Sequence, residues 1–220
     1  MSPTIALLEM IGVVCGYDSQ VILRGLDLTL HPGEGLCFVG RNGSGKSTIL
    51  RAALGLVRVF EGQVRLGGRV PPPSDQLASS GVAYIPQGRG DLPSLTVHEN
   101  LTLAALVLPQ PLRRAAIDAV YAQLEMLHAL RGQKVGVLSG GERTLMSLGR
   151  ALVIRPQILV ADELSAGLSE GSREVVIRAL DALRPVGALL IAEQDASFAL
   201  ALGLPLRILP GSSVGSSGVS

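Results

Sequence analysis

The chain is poor in cysteine, in long apolar runs and in excess charge of either sign. Only Cys15 and Cys37 occur in 220 residues, both within apolar, strand-like runs. We therefore expect buried, reduced thiols in a cytosolic protein and no disulfide framework. No run approaches the roughly 18 uncharged apolar residues of a membrane helix, and the first residues lack the basic segment of a secretory signal. The formal net charge of +1 gives no electrostatic reason to expect nucleic acid as a partner.

Hydrophobic residues make up 47% of the chain, enough for the core of one large domain or of a core with a small subdomain. Short apolar runs alternate with helical patterns, which favours an α/β fold with a mostly parallel sheet covered on both faces. The predicted strands are residues 5–14, 26–30, 35–39, 64–66, 82–85, 157–161, 188–192 and 206–209. The predicted helices in the alternating part are residues 46–54, 173–183 and 196–202.

One stretch, residues 97–149, departs from this alternation. Apolar residues recur there at helical spacing and predict one amphipathic face that packs against other helices. These residues are Ile117, Val120, Tyr121, Leu124 and Leu127. We therefore predict a core formed by residues 1–96 and 150–210, with a helical subdomain inserted at 97–149. The Ser- and Gly-rich residues 211–220 are predicted to be a flexible tail.

Residues 40–47 form a complete G-x-x-x-x-G-K-[ST] pattern between a short apolar strand and a helix start, which is the context of a phosphate-binding loop. Backbone N–H groups of the loop and the helix N-terminus suit a polyphosphate. Lys46 is expected to reach the β- and γ-phosphates, and Ser47 to place its hydroxyl on Mg²⁺. The candidate nucleotide-binding residues here are Gly40, Arg41, Asn42, Gly43, Ser44, Gly45, Lys46, Ser47 and Thr48.

A second candidate is the apolar run at 158–161, which ends in Asp162 and Glu163. A buried strand that ends in two carboxylates can present one to Mg²⁺ and the other to water. We assign Asp162 to the metal through its water shell, and Glu163 to the general base that activates the attacking water. The alternative is an ordinary strand followed by a solvated acidic turn, and the upstream phosphate loop disfavours it.

A third candidate is the stretch Leu138-Ser139-Gly140-Gly141-Glu142, followed by a helical run. Ser139 is predicted to cap that helix, and the two glycines leave bare N–H groups at its positive end, which makes a second anion site. With this stretch some twenty residues before the Asp-Glu strand, the sequence resembles the ATP-binding cassette (ABC) ATPases over about residues 7–210. The resemblance implies a phosphate-loop NTPase cassette: a mostly parallel core, an antiparallel β portion and an inserted helical subdomain.

The resemblance also implies roles for single residues. Tyr17 matches the aromatic residue that stacks on adenine, although it could be a plain surface tyrosine. Gln87 matches the glutamine that contacts Mg²⁺ and senses a membrane partner. Residues 165–169 match a loop that crosses a dimer interface. In this family the stretch that contains Ser139, Gly140 and Gly141 is the signature motif, and it caps the ATP that is bound on the phosphate loop of another subunit. The two anion sites of one chain therefore serve two nucleotides.

Further segments resemble one subfamily, the F-type ATPases of branched-chain amino acid importers and their urea and amide relatives. These segments are residues 81–101, 149–152 and 193–195. Most ABC ATPases have histidine where Gln194 stands, but glutamine is usual in this subfamily. Its neutral amide can still donate a hydrogen bond near the γ-phosphate. The implied partners are transmembrane permease subunits, a second cassette (copy or paralogue) and, indirectly, a solute-binding protein, with the chain on the inner face of the cell membrane.

Some positions depart from the family pattern, and two other functions stay open. Leu164 replaces the usual proline, and Gly203-Leu204 replaces the usual Asp-Arg, which puts the final strand in doubt. One alternative is a non-transport ABC ATPase, such as an assembly or translation factor. The other is a cassette that binds ATP without hydrolysing it, against which the intact Lys46, Asp162 and Glu163 argue.

Overall fold

The structure is a computed structural model that describes residues 5–88 and 90–210. The predicted tail at 211–220 lies outside the described residues. The strands are β1 (Leu8–Tyr17), β2 (Gln20–Leu30), β3 (Gly35–Val39), β4 (Arg58–Leu66), β5 (Val82–Ile85), β6 (Ile158–Asp162), β7 (Ala188–Glu193) and β8 (Leu206–Ile208). The α-helices are α1 (Lys46–Ala53), α2 (Val97–Ala104), α3 (Gln110–Gln123), α4 (Glu125–Ala129), α5 (Gly140–Val153), α6 (Glu170–Leu183) and α7 (Ala196–Ala201).

The strands form two sheets of different type. An antiparallel sheet has the order β2-β1-β4, and a parallel sheet has the order β5-β6-β7-β3-β8. Strand β7 therefore lies between β3, which precedes the phosphate loop, and β6, which ends in Asp162. This confirms the mostly parallel α/β core with an added antiparallel portion.

Strands β3, β5, β6 and β7 of the parallel sheet are buried on both faces, which explains their nearly continuous apolar sequences, whereas the edge strand β8 is exposed. Because side chains alternate across a strand, Cys37 and Leu159 join one hydrophobic cluster while Phe38 and Val160 join the other. The first cluster packs the sheet against α2–α7, and the second packs it against α1 and the antiparallel sheet.

The antiparallel strands are longer than the sequence pattern predicted. Strand β1 continues through Gly16, where the sequence pattern predicted that it would end. A Cβ at Gly16 would lie 1.9 Å from the Gln20 carbonyl oxygen, so only glycine allows β1 and β2 to approach so closely at this point. The first half of β2 is largely exposed, and its one apolar stretch, Val21-Ile22-Leu23, is too short to have been read as a strand.

The helical insertion has the amphipathic face that the spacing predicted, but it is divided. The backbone of Leu124, with φ −121° and ψ 66°, separates α3 from α4. Leu124 and Leu127 are nevertheless fully buried with Val120. Among the described residues, no helix combines the length and apolar character needed to cross a bilayer.

The positions that depart from the family pattern have structural uses. Leu164 is buried in the first hydrophobic cluster. Gly203 adopts a left-handed φ of 61° after α7, and Leu204 is buried beside Gly35. The final strand forms as β8, paired in parallel with β3.

Both cysteines are free and buried, as the sequence analysis expected. Burial raises the pKa of the Cys15 thiol. Burial, with a further contribution from the nearby Glu193 carboxylate, raises the pKa of Cys37 to about 12. Since the thiolate is the reactive form, neither side chain should be nucleophilic in the folded protein.

We predict that a thiol-specific disulfide reagent at pH 8 will leave both cysteines of the folded protein unmodified. The same reagent should titrate two thiols once guanidinium unfolds the chain. Rapid labelling of either cysteine in the native protein would contradict the burial described above.

Candidate active site

The phosphate loop lies between β3 and α1 and is shaped by its glycines. Gly43 and Gly45 have left-handed φ values of 81° and 92°, which side chains other than glycine rarely adopt. A Cβ at Gly40 would lie 2.7 Å from Ser44 Oγ and 3.3 Å from the Leu209 carbonyl oxygen, so a side chain there would crowd the start of the loop. The Gly40 N–H donates to the Glu193 carbonyl oxygen at 3.2 Å, so the loop begins at a point set by β7. The predicted strand, loop and helix context is confirmed.

Lys46 is folded back onto this loop. Its ammonium is largely buried and donates to the carbonyl oxygens of Gly40 at 2.7 Å and Arg41 at 3.1 Å. A buried cation held by backbone carbonyls alone is available to a stronger anionic partner, since charge-assisted bonds to phosphate are stronger than bonds to neutral acceptors. The ammonium is thus held at the loop for which the sequence predicted a phosphate contact.

Asp162 is buried without a hydrogen-bond partner for either carboxylate oxygen in the described part of the chain. Burial raises the pKa of Asp162; the nearby Ser47 hydroxyl opposes this rise, and the Glu163 charge adds to it. An unpartnered buried carboxylate is costly, and a hydrated divalent cation would relieve that cost.

The donor set fits Mg²⁺, which keeps several waters and uses one or two carboxylates with substrate phosphates. Asp162 and the Ser47 hydroxyl are close enough to affect each other electrostatically. Within residues 5–88 and 90–210, no three His, Cys, Asp or Glu side chains cluster to hold a metal. At such a site waters and substrate phosphates would supply the remaining ligands of Mg²⁺.

Glu163 has a strained backbone and a defined partner. Its φ of 55° is left-handed, a conformation that costs a non-glycine residue about 1–3 kcal/mol and occurs often at active sites. Its N–H donates to the Ala192 carbonyl oxygen at 2.8 Å. The side-chain amide of Gln87 donates to its carboxylate at 2.8 Å, across 76 residues of sequence.

These side chains border one cavity of about 220 Å³ between the core and the helical insertion. Its polar lining consists of Gln87, Arg143, Thr144, Ser147, Asp162 and Glu163. The structure thus brings Gln87 to the acidic pair Asp162 and Glu163, which the sequence placed in a separate motif. The cavity has room for water beside the carboxylate of Glu163.

Ser139 caps α5, as the sequence predicted. Its hydroxyl accepts from the Glu142 N–H at 3.3 Å, and the Glu142 carboxylate accepts from the Ser139 N–H at 2.7 Å, which completes a capping box. Gly141 has a second purpose that the sequence did not reveal: a Cβ there would lie 3.0 Å from the Gly167 carbonyl oxygen. The start of α5 therefore packs directly on the loop that follows Glu163.

Tyr17 lies at the end of β1, 40% exposed, and its hydroxyl accepts from Arg51 Nη1 of α1 at 3.0 Å. The ring is thus anchored to the helix that follows the phosphate loop. Ile22 of β2 is similarly exposed, and its methyl would be 3.5 Å from a Cβ at Gly45. Sequence reasoning missed Ile22 and Arg51, because nothing in their sequence surroundings distinguishes them from ordinary strand and helix residues.

Gln194 is exposed just beyond β7, whereas the preceding Glu193 is fully buried. Burial raises the pKa of Glu193 to about 7, and hydrogen bonds from Ser165 oppose that rise. Sequence reasoning used Glu193 only as part of a subfamily pattern. An acidic residue at the end of an otherwise apolar strand was the signal that could have marked it.

The fold and the site together define a phosphate-loop ATPase cassette. The profile of the ABC transporter family matches residues 23–166, well over half of the chain. The chain therefore belongs to the ABC transporter family. It is an ATPase and the ATP-binding subunit of a transporter.

Several relatives are similar over most of their length. The probable branched-chain amino acid transport ATP-binding protein LivF of Archaeoglobus fulgidus is 35% identical over 88% of this chain and 84% of its own. The high-affinity branched-chain amino acid transport ATP-binding protein BraG of Pseudomonas aeruginosa is 31% identical over 84% and 81%. The lipoprotein-releasing system ATP-binding protein LolD of Nitratidesulfovibrio vulgaris is 34% identical over 86% of each chain.

A solved structure has the same fold. The ATP-binding cassette MJ0796, in a dimeric post-hydrolysis state bound to ADP and phosphate, superposes with a TM-score of 0.79 at 22% identity. The match covers 92% of this chain and 94% of that one.

We predict that Lys46→Ala will weaken ATP binding by roughly 10- to 100-fold, the equivalent of a lost hydrogen bond to a charged group, and will abolish most hydrolysis. Calorimetry with ATP measures the first effect, and phosphate release measures the second. Lys134→Ala, which changes the only other lysine of the chain, should leave both unaltered. Unchanged ATP affinity in Lys46→Ala would remove Lys46 from the nucleotide site.

Proposed function

We propose that this chain hydrolyses ATP to drive an importer of branched-chain amino acids or of related small polar solutes such as urea and amides. The subfamily-like segments and the names of the LivF and BraG relatives support this solute class. The similarity to LolD argues against this solute class, because LolD is named as part of a lipoprotein-releasing system. The proposed ATP hydrolysis depends on one observation, the contact between Gln87 and Glu163 beside Asp162.

The residues have distinct proposed roles. Residues 40–48 bind the phosphates, with Lys46 on the β- and γ-phosphates, and Tyr17 stacks on adenine. Ser47, Gln87 and Asp162 hold Mg²⁺, which neutralises phosphate charge when bound. Glu163 accepts the proton of the attacking water. Gln194, exposed at the end of β7, donates a hydrogen bond toward the γ-phosphate.

We further propose a head-to-tail pair with a second cassette. Glycines and a helix N-terminus at the start of α1 form one anion site, and the capped N-terminus of α5 forms another. Gly141 packs on the loop after Glu163 in its own chain, and in the pair residues 139–141 would cap the nucleotide of the other subunit. The dimeric state of the structurally similar cassette MJ0796 is compatible with this arrangement.

A permease is the proposed membrane partner, which would place the chain on the inner face of the membrane. A groove of about 410 Å³ lies between β5 and the helical insertion and is mostly apolar. Its lining includes the partly exposed side chains of Leu56, Leu103 and Val107. It also includes Pro86 and Gly90, which lie on either side of Gln87 in the sequence. An amphipathic permease helix in this groove would touch the loop that holds Gln87.

We predict that Glu163→Gln will bind ATP with wild-type affinity but hydrolyse it about 10²–10⁴-fold more slowly, as expected for a lost general base. The ATP-bound protein should accumulate as a dimer, which size-exclusion chromatography with ATP would detect. Glu174→Gln, an exposed change on α6, is the matched control. A near-wild-type rate for Glu163→Gln in a single turnover would assign the base to another residue.

We predict that Gln87→Ala will lower permease-stimulated ATPase activity by a larger factor than basal activity, with little change in ATP affinity. The reason is that the Gln87 loop borders the proposed permease groove, whereas residues 40–48 supply the direct contacts to the phosphates. Both rates are measured in one reconstituted preparation, with the exposed Gln110→Ala of α3 as control. An equal drop in both rates would leave Gln87 as a metal contact only. Absence of any stimulation by permease subunits would contradict the proposed coupling through Gln87.

A further inference from the structure

A buried carboxylate at the end of β7 holds the segment that follows Glu163. Glu193 is fully buried, and one of its oxygens accepts from the Ser165 N–H at 3.0 Å while the other accepts from the Ser165 hydroxyl at 2.7 Å. The contact spans 28 residues of sequence and ends two residues after Glu163. Both oxygens of this buried carboxylate, which would be costly to leave without partners, therefore bind the segment that follows Glu163.

Glu163 is consequently held by β7 on both of its sides. Its own N–H donates to Ala192, and two residues later Ser165 is bound by Glu193. A left-handed backbone such as that of Glu163 persists only where the surrounding contacts maintain it. Consecutive residues of one strand supply these contacts.

We propose that Glu193 is a positioning residue for ATP hydrolysis: through Ser165 it maintains the backbone conformation that directs the Glu163 carboxylate at the attacking water. This inference depends on the proposed role of Glu163 as the general base. Glu193 itself is buried away from the substrate and acts only through its neighbours.

Further contacts give the arrangement a fixed frame. The Glu193 carbonyl oxygen accepts from the Gly40 N–H, the first residue of the phosphate loop. On the far side of the held segment, the Thr144 hydroxyl of α5 lies 3.3 Å from the Ala166 carbonyl oxygen and 3.2 Å from the Gly140 carbonyl oxygen, and its one proton can be donated to either. Glu193 thus fixes the distance between the phosphate loop and Glu163. Loss of the Glu193 side chain should impair hydrolysis without weakening nucleotide binding.

The chain offers variants that separate positioning from charge. Glutamine at 193 has the same shape: its carbonyl can accept from the Ser165 N–H, and its amide can donate to the Ser165 hydroxyl. Alanine at 193 keeps neither bond. Ser165→Ala removes the hydroxyl and leaves the backbone donor. Tyr121→Phe, which removes one hydrogen bond to His98 in the helical insertion, controls for a general loss of stability.

The experiment measures kcat and KM for Mg²⁺-dependent ATP hydrolysis, the Kd of ATP and the melting temperature for each purified full-length chain. Glu193→Ala should lose about 10- to 100-fold in kcat, the size expected of a displaced catalytic group. Its ATP Kd should stay within about 2-fold of wild type, and Glu193→Gln should stay within about 2-fold in both quantities. Ser165→Ala should lower kcat by a smaller factor. The double variant Glu193→Ala/Ser165→Ala should have the same kcat as Glu193→Ala, because both substitutions act on the same contact between Glu193 and Ser165.

Three results would overturn the inference alone: wild-type kcat in Glu193→Ala, a loss in Glu193→Gln as large as in Glu193→Ala, or a fully additive double variant. If Glu193→Ala does not fold, Ser165→Ala decides, and an unchanged kcat there overturns the inference. A wild-type chain without ATPase activity, or a Glu163→Gln chain that is fully active, would instead overturn the proposed function and this inference with it.

Discussion

The backbone hydrogen bonds that place β7 between β3 and β6 are the constraint on which the site depends. In this register Val39 pairs with Glu193, and Asp162 pairs with Ala192. Because parallel strands end at the same edge of the sheet, the phosphate loop after β3 and the acidic pair after β6 emerge together. A change in the β7 register of one residue would separate these groups and reverse which of its side chains face each core.

The site is also a place where unfavourable features are concentrated. Asp162 is a buried carboxylate without a partner, Lys46 is a buried ammonium held by carbonyls, and Glu163 has a left-handed backbone. Each is costly in the protein alone, and a bound magnesium nucleotide would offset the first two. The rigid, doubly covered sheet supplies the stability that such an arrangement requires.

Local chemistry explains why the motifs could be recognised without a structure. The loop at 40–47 needs glycine for its backbone and lysine for its charge, and Ser139 is followed by Glu142 at the spacing of a capping box. The strands of the parallel sheet were also predictable, because burial on both faces makes them continuous apolar runs. The first half of β2 and most of β4 were not predicted, because these exposed edge strands contain only short apolar stretches.

The sequence by itself determined the class of the fold, the phosphate loop, the acidic pair and the capped helix, since each depends on interactions between residues close in the chain. Only the tertiary structure decided which of these parts meet. The bond from Gln87 to Glu163, that from Arg51 to Tyr17 and those from Ser165 to Glu193 join residues 76, 34 and 28 positions apart. Such contacts follow from strand order and packing, and no local pattern of residue types encodes them.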